Sequence, residues 1–107
     1  MNHSILKGHL DGLILAVLED DPQHGYAVIE ELRRRTHDAL DLPSGTIYPA
    51  LRRLERSGHI AGQWSVVEGR RRRTYHLTPA GRAMLARQRT EWSEFSAMVN
   101  LVLAAKT

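Results

Sequence analysis

The chain has 107 residues, 42% of them apolar and 25% charged, which is enough for one domain with one core and too little for an elaborate catalytic cleft. It contains no cysteine, which excludes a disulfide framework, a thiolate metal site and a cysteine nucleophile. The net charge of +3 is unevenly divided: residues 1–50 hold four Lys/Arg against eight Asp/Glu, and residues 51–107 hold eleven against four. The second half therefore suits a polyanionic partner.

The first element is a helix over Ile5 to Asp20, where Leu6, Leu10, Leu13, Ile14, Val17 and Leu18 recur at three- and four-residue steps before DDP (20–22) stops the pattern. Asp11 interrupts its apolar run and no cleavage-like sequence follows. The segment is thus neither a signal peptide nor a membrane span, and a cytoplasmic protein is expected. A second helix runs from Gly25 to about Asp38, with Tyr26, Ile29 and Leu32 on one side and Glu30/Arg34 and Glu31/Arg35 paired on its wet side.

The third helix starts within PSGTIYPALRRLERSG (43–58), with Ser44 as N-cap and Gly58 as the left-handed residue that ends it. Ile47, Leu51 and Leu54 form its buried stripe. Pro49 predicts either a later start or a distorted first turn, because its missing N–H falls just past the turn that tolerates it. The stretch HIAGQWSVVEGRRRRTYHL (59–77) predicts a β-hairpin that reverses at Glu68-Gly69 and carries Arg70–Arg73 at its tip and on its returning strand. Trp64 is expected to anchor the hairpin on the helices, since an isolated hairpin is marginal in water.

The last helix opens at Thr78 as N-cap, with Pro79 as first helical residue. Leu85, Trp92 and Val99 lie seven apart, with Gln88, Phe95 and Val102 seven apart between them. Such an a/d stripe over three heptads predicts packing along another long helix.

Three helices, a hairpin and a helix give a mainly α fold with a small β-hairpin: a winged helix-turn-helix followed by a long C-terminal helix. In that arrangement the third helix enters the DNA major groove through its N-terminal part. With the buried stripe fixed, Tyr48, Arg52 and Arg56 share another side, Arg53 lies near its edge, and Ser44 and Thr46 stand at the positive helix end that suits phosphate. Arg70, Arg71, Arg72 and Arg73 become the wing, placed for the phosphate backbone or the adjacent minor groove. A solvated turn is the plainer meaning of such a charge run, but its hairpin setting in the basic half favours DNA. Tyr48 also fits a ring packed beside the core with a wet hydroxyl.

HGY (24–26), GTIYPALRRLERSGHI (45–60) and GRRRRTYHLTPAG (69–81), in this order and spacing, make the chain resemble the short, single-domain PadR-family transcriptional regulators over nearly its whole length. Arg70 replaces the family's usual second wing glycine and Thr74 its first wing tyrosine, so the tip is more cationic than usual. The resemblance implies a homodimeric repressor that binds double-stranded DNA at a pseudo-palindromic operator, with half-sites about one helical turn apart (~10 bp). It implies an interface between first and last helices that includes Leu6, Leu10, Leu85, Trp92, Phe95, Val99 and Val102. A small planar aromatic or cationic effector near Trp92 is also implied, although a tryptophan at that position is explained by dimer packing alone.

The expected division is residues 1–77 as DNA-binding domain, its first helix shared with the dimer interface, and 78–107 as dimerisation helix of the same compact unit. No glycine-rich phosphate loop, nucleophile elbow or H-E-x-x-H pattern is present, and the six histidines show no pairing at metal spacing. Neither enzymatic activity, cofactor nor metal is expected. A different class, a winged-helix module that binds acidic protein surfaces, would not need arginines along the exposed face of the third helix.

Overall fold

A computed structural model describes Leu6 and residues 8–105. Its elements are α1 (Leu10–Leu18), β1 (Gln23–His24), α2 (Gly25–Arg35), α3 (Ser44–Arg56), β2 (Ile60–Val67), β3 (Arg70–Leu77) and α4 (Pro79–Leu103). The three strands form one antiparallel sheet in the order β1-β3-β2. This is the winged-helix arrangement with a long C-terminal helix.

The predicted start of the first helix, Ile5, lies outside the described residues. Leu6 sits in a 3₁₀ turn and Gly8 takes φ 87°, so regular helix begins only at Leu10. The second helix ends at Arg35, three residues earlier than expected, because His37 and Asp38 adopt left-handed backbone (φ 50° and 66°). The Asp38 N–H donates back to the Arg33 carbonyl at 2.8 Å, closing that end.

The N-cap of α3 is Pro43, not Ser44, which is the first helical residue. The Pro43 carbonyl accepts from the N–H groups of Thr46 (2.9 Å) and Ile47 (3.2 Å). The helix starts no later on account of Pro49 and runs through it. Pro49 and Gly45 are both exposed, so the carbonyl that loses its usual i+4 donor faces water. Gly58 (φ 83°) ends α3 as expected: its N–H donates to Glu55 and that of His59 to Leu54, the paired bonds of a Schellman end.

The hairpin reverses through Glu68 and Gly69, both left-handed (φ 52° and 74°), with Val67 opposite Arg70. Two such residues match the twist of the flanking strands. Strand β1 was not foreseen: Gln23 and His24 pair with Tyr75 and Thr74, and two residues are too few to show alternation. His24 then caps α2, its Nδ1 accepting from the Ala27 N–H at 3.2 Å.

The core joins Ile14, Leu15 and Leu18 of α1, Val28 and Leu32 of α2, Ile47, Leu51 and Leu54 of α3, Ile60, Tyr75 and Leu77 of the sheet, and Leu85 of α4. No polar or charged residue is buried among the described residues. Thr78 locks α4 to the end of α3, its hydroxyl donating to the Gly58 carbonyl (2.6 Å) and accepting from the Gly81 N–H (3.1 Å).

Candidate nucleic-acid interface

Because Ile47, Ala50, Leu51 and Leu54 are buried, the helical period turns Ser44, Thr46, Arg52, Arg53 and Arg56 outward, and all five are exposed. Tyr48 is half-buried and packs against the core. Its ring lies over Gly25 so closely that a Cβ there would stand 2.4 Å from Cε1. The glycine of the HGY stretch is therefore what lets α3 present Tyr48 beside α2.

Arg53 departs from the expected groove-facing edge: its guanidinium donates to the carboxylate of Asp11 on α1. Arg89 similarly makes a forked pair with Glu19, both bonds 2.8 Å, rather than merely solvating α4. On α2, Glu31 takes both Arg34 and Arg35, while Glu30 pairs with Arg33 instead of Arg34. That basic run is a neutralised helix face.

Alternation along the hairpin places Arg71 and Arg73 on the side of Trp64, and Arg70 and Arg72 on the reverse. Arg70 and Arg71 are exposed; Arg72 and Arg73 are partly buried. Trp64 does not anchor the wing. It is 57% exposed, with the guanidinium carbons of Arg71 and Arg73 lying 4.6 and 5.6 Å from its ring centroid. Of β2 only Ile60, at its base, joins the core, and Trp64 and Val66 further along the strand are exposed.

Arg73 is tied to Glu55 near the end of α3: Nε donates to Oε1 at 3.3 Å and a terminal nitrogen donates to Oε2. The Arg73 guanidinium holds the Glu55 carboxyl below its ordinary pKa, against the opposing effect of burial. On β1, burial and secondarily the charge of Arg72 depress the His24 pKa, which favours the neutral imidazole that the helix cap requires. Tyr48, Arg52, Glu55, Trp64, Arg71 and Arg73 line one cleft of about 470 Å³ between the wing and α3. Among the described residues, no salt bridge engages Arg52, Arg56, Arg70, Arg71 or Arg72.

A second surface is apolar. Trp92 and Phe95 are about half exposed, and Met98, Leu101, Val102 and Leu103 more so; Val99 is partly covered. Leu6 and Leu10 are half-buried against the protomer core. Leu85 departs from the expected interface stripe: at 3% exposure it is closed inside the protomer core, so it has almost no surface left to bury elsewhere. Beside it a groove of about 370 Å³ runs between α1 and α4, bordered by His9, Leu13, Ala16, Arg89 and Trp92. His9 meets the Trp92 ring edge-on at 5.2 Å.

The residues that sequence reasoning missed are Asp11, Glu55 and His9, and the exposed role of Trp64. The first two act through partners 42 and 18 positions away, for which no local pattern exists. Among the described residues no group of three or more His, Asp or Glu could hold a metal ion, and no helix is long and apolar enough to cross a membrane.

Three helices, a hairpin carrying exposed arginines and a long last helix, in this order, make this a winged helix-turn-helix protein. Comparison narrows the class: the transcriptional regulator PadR-like family matches residues 14–87, and the chain belongs to that family. The transcriptional regulator Rv3488 of Mycobacterium tuberculosis is 40% identical over 83 residues, 78% of this chain and 75% of that protein. An uncharacterized protein X of Lysinibacillus sphaericus is 30% identical over 100 residues, 92% of either chain. Among solved structures, a transcriptional regulator from Clostridium thermocellum superposes with TM-score 0.86 at 27% identity, covering 94% of this chain and 98% of that one. A PadR-like regulator from Bacillus cereus gives 0.84 at 29% identity, covering 96% and 99%. The protein is thus a DNA-binding transcriptional regulator and not an enzyme.

Proposed function

We propose that the protein acts as a homodimer in the cytoplasm, binding a pseudo-palindromic operator as a repressor that a small molecule releases. Residues 1–77 serve as the DNA-binding part, α1 sharing in the interface, and residues 78–107 as the dimerisation helix of the same compact unit. The observation that carries the DNA reading is the set of arginines that have no carboxylate partner among the described residues, Arg52 and Arg56 on α3 and Arg70, Arg71 and Arg72 on the wing. Like charges gathered on adjoining elements repel one another, and phosphate would relieve that repulsion.

The roles divide by position. Ser44 and Thr46, at the positive end of α3, suit phosphate oxygens. Tyr48 and Arg52 reach for base edges, Arg56 follows the groove, and Arg53 joins when it leaves Asp11. Arg70, Arg71 and Arg72 contact the backbone or minor groove, with Arg73 contributing from the wing's base.

Dimerisation is supported by the apolar end of α4, where Leu101, Val102 and Leu103 are more than 70% exposed. A second copy, offering the same surface across a two-fold axis, would cover it. Trp92, Phe95, Val99 and Val102, with Leu6 and Leu10 beside them, form this interface. The groove next to Trp92 suits a planar aromatic or cationic effector, which would stack on the indole. Hydroxyl-radical footprinting on DNA upstream of the protein's own gene tests the whole reading. Two protected stretches about 10 bp apart are expected from a dimer, and absence of protection there and on neighbouring promoters would count against it. Effector binding is read by quenching of tryptophan fluorescence that is lost in Trp92→Phe.

A further inference from the structure

The wing carries a large apolar side chain that its fold does not use. Trp64 is not packed into the core and stays 57% exposed even with two guanidinium groups over its ring. Arg73 is bound to Glu55, so its charge is largely cancelled. Arg71, the nearer to the indole, has no carboxylate partner among the described residues. Across the cleft stands Arg52, also without one, beside Tyr48. Three arginines without a carboxylate partner among the described residues, Arg52, Arg71 and Arg72, and the rings of Tyr48, Trp64 and Tyr75 therefore border a cleft whose one carboxylate, Glu55, is already engaged.

The chemistry that fits this arrangement is a single sugar-phosphate strand. An anion between Arg52 and Arg71 relieves their repulsion, and the flat apolar indole matches the apolar edge of a deoxyribose. We propose that Trp64 is the wing's platform for one DNA strand, packing against a deoxyribose and carrying Arg71 on its face so that the guanidinium meets the adjoining phosphate. This assignment rests on the DNA-binding reading of the wing above. Glu55 completes the device by tying Arg73 to α3, which sets how far the platform stands from the recognition helix.

The test measures affinity for a mixed-sequence DNA duplex, since sugar and phosphate contacts do not depend on sequence. Wild type, Trp64→Ala, Trp64→Phe, Trp64→Leu, Arg71→Ala and the Trp64→Ala/Arg71→Ala pair are compared across a salt series. Trp64→Ala is expected to weaken binding about 5- to 30-fold over the two wings of a dimer. Trp64→Phe should recover most of that loss, and Trp64→Leu, apolar but without a π face, should not. The double variant should lose less than the two single losses multiplied, because the indole acts in part through Arg71.

Wild-type affinity in Trp64→Ala would overturn the proposal while leaving the DNA reading intact. A strictly multiplicative double variant would overturn the platform role by making the two residues independent. Wild-type protein with no salt-sensitive duplex binding would instead overturn the DNA reading, and this proposal with it. Melting curves of the Phe and Leu variants, expected to match wild type at an exposed site, separate lost contact from lost fold.

Discussion

Arg73 of the wing and Glu55 of the recognition helix are joined through both carboxylate oxygens, so the hairpin is tied to α3 by side chains as well as by the short segment between them. This pair makes stability depend on pH. Hydrogen bonds from Arg73 hold the Glu55 carboxyl below its ordinary value of 4.5. The folded protein therefore binds that proton more weakly than the unfolded chain. The pair contributes fully above about pH 4.5 and its contribution is lost as pH falls through the folded value. Melting temperatures of wild type and Glu55→Gln should differ at neutral pH by the equivalent of about 1 kcal/mol or less, and the gap should close on acidification. A gap independent of pH would show that Glu55 acts by some other means.

Tyr48 and Gly25 depend on each other. A methyl group at position 25 would stand 2.4 Å from Tyr48 Cε1, so Gly25→Ala must displace the ring. The expected destabilisation is about 1–3 kcal/mol in chemical denaturation, accompanied by weaker DNA binding. In a Tyr48→Ala background the same change should be far milder, because the colliding atoms are gone. Equal penalties in both backgrounds would locate the strain elsewhere.

On the proposed reading, Asp11 would compete with DNA phosphate for Arg53. The guanidinium is held by a carboxylate on α1, from which a phosphate contact would have to draw it away. Asp11→Asn should raise affinity for any duplex and steepen its salt dependence, at a stability loss of about 1 kcal/mol or less. Fluorescence anisotropy over a salt series reads both quantities.

Leu85 and Val102 belong to one heptad stripe but to different structures. Leu85 is closed inside the protomer and Val102 is 79% exposed. Leu85→Ala should cost about 2–5 kcal/mol of folding stability. Val102→Glu should instead convert a dimer to a folded monomer in sedimentation velocity, with unchanged helical content.

Features encoded by neighbouring residues were legible in the sequence. The stripe Ile47, Leu51, Leu54 identified α3, Gly58 its end, and Glu68-Gly69 the hairpin reversal, because helical period and turn chemistry act within a few residues. What depends on distant partners was not. Strand β1 exists only through pairing with Tyr75 and Thr74, and Arg53 turns aside for a residue 42 positions earlier. Alternation showed which side of the hairpin Trp64 takes, but not that this side would stay open at Trp64, which is 57% exposed. Heptad spacing likewise put Leu85 and Val102 on one face without distinguishing the protomer's own core from a partner's.

The central claim is that the arginines of α3 and the wing meet DNA phosphates at a specific operator. Fluorescence anisotropy of the purified protein on DNA from upstream of its own gene, against a shuffled duplex, tests it most directly. With 6–10 phosphate contacts the affinity should fall by about 10³ or more between 50 and 200 mM salt, with the upstream duplex bound more tightly throughout. Affinity that is flat with salt, or equal for both duplexes here and on neighbouring promoters, would contradict it.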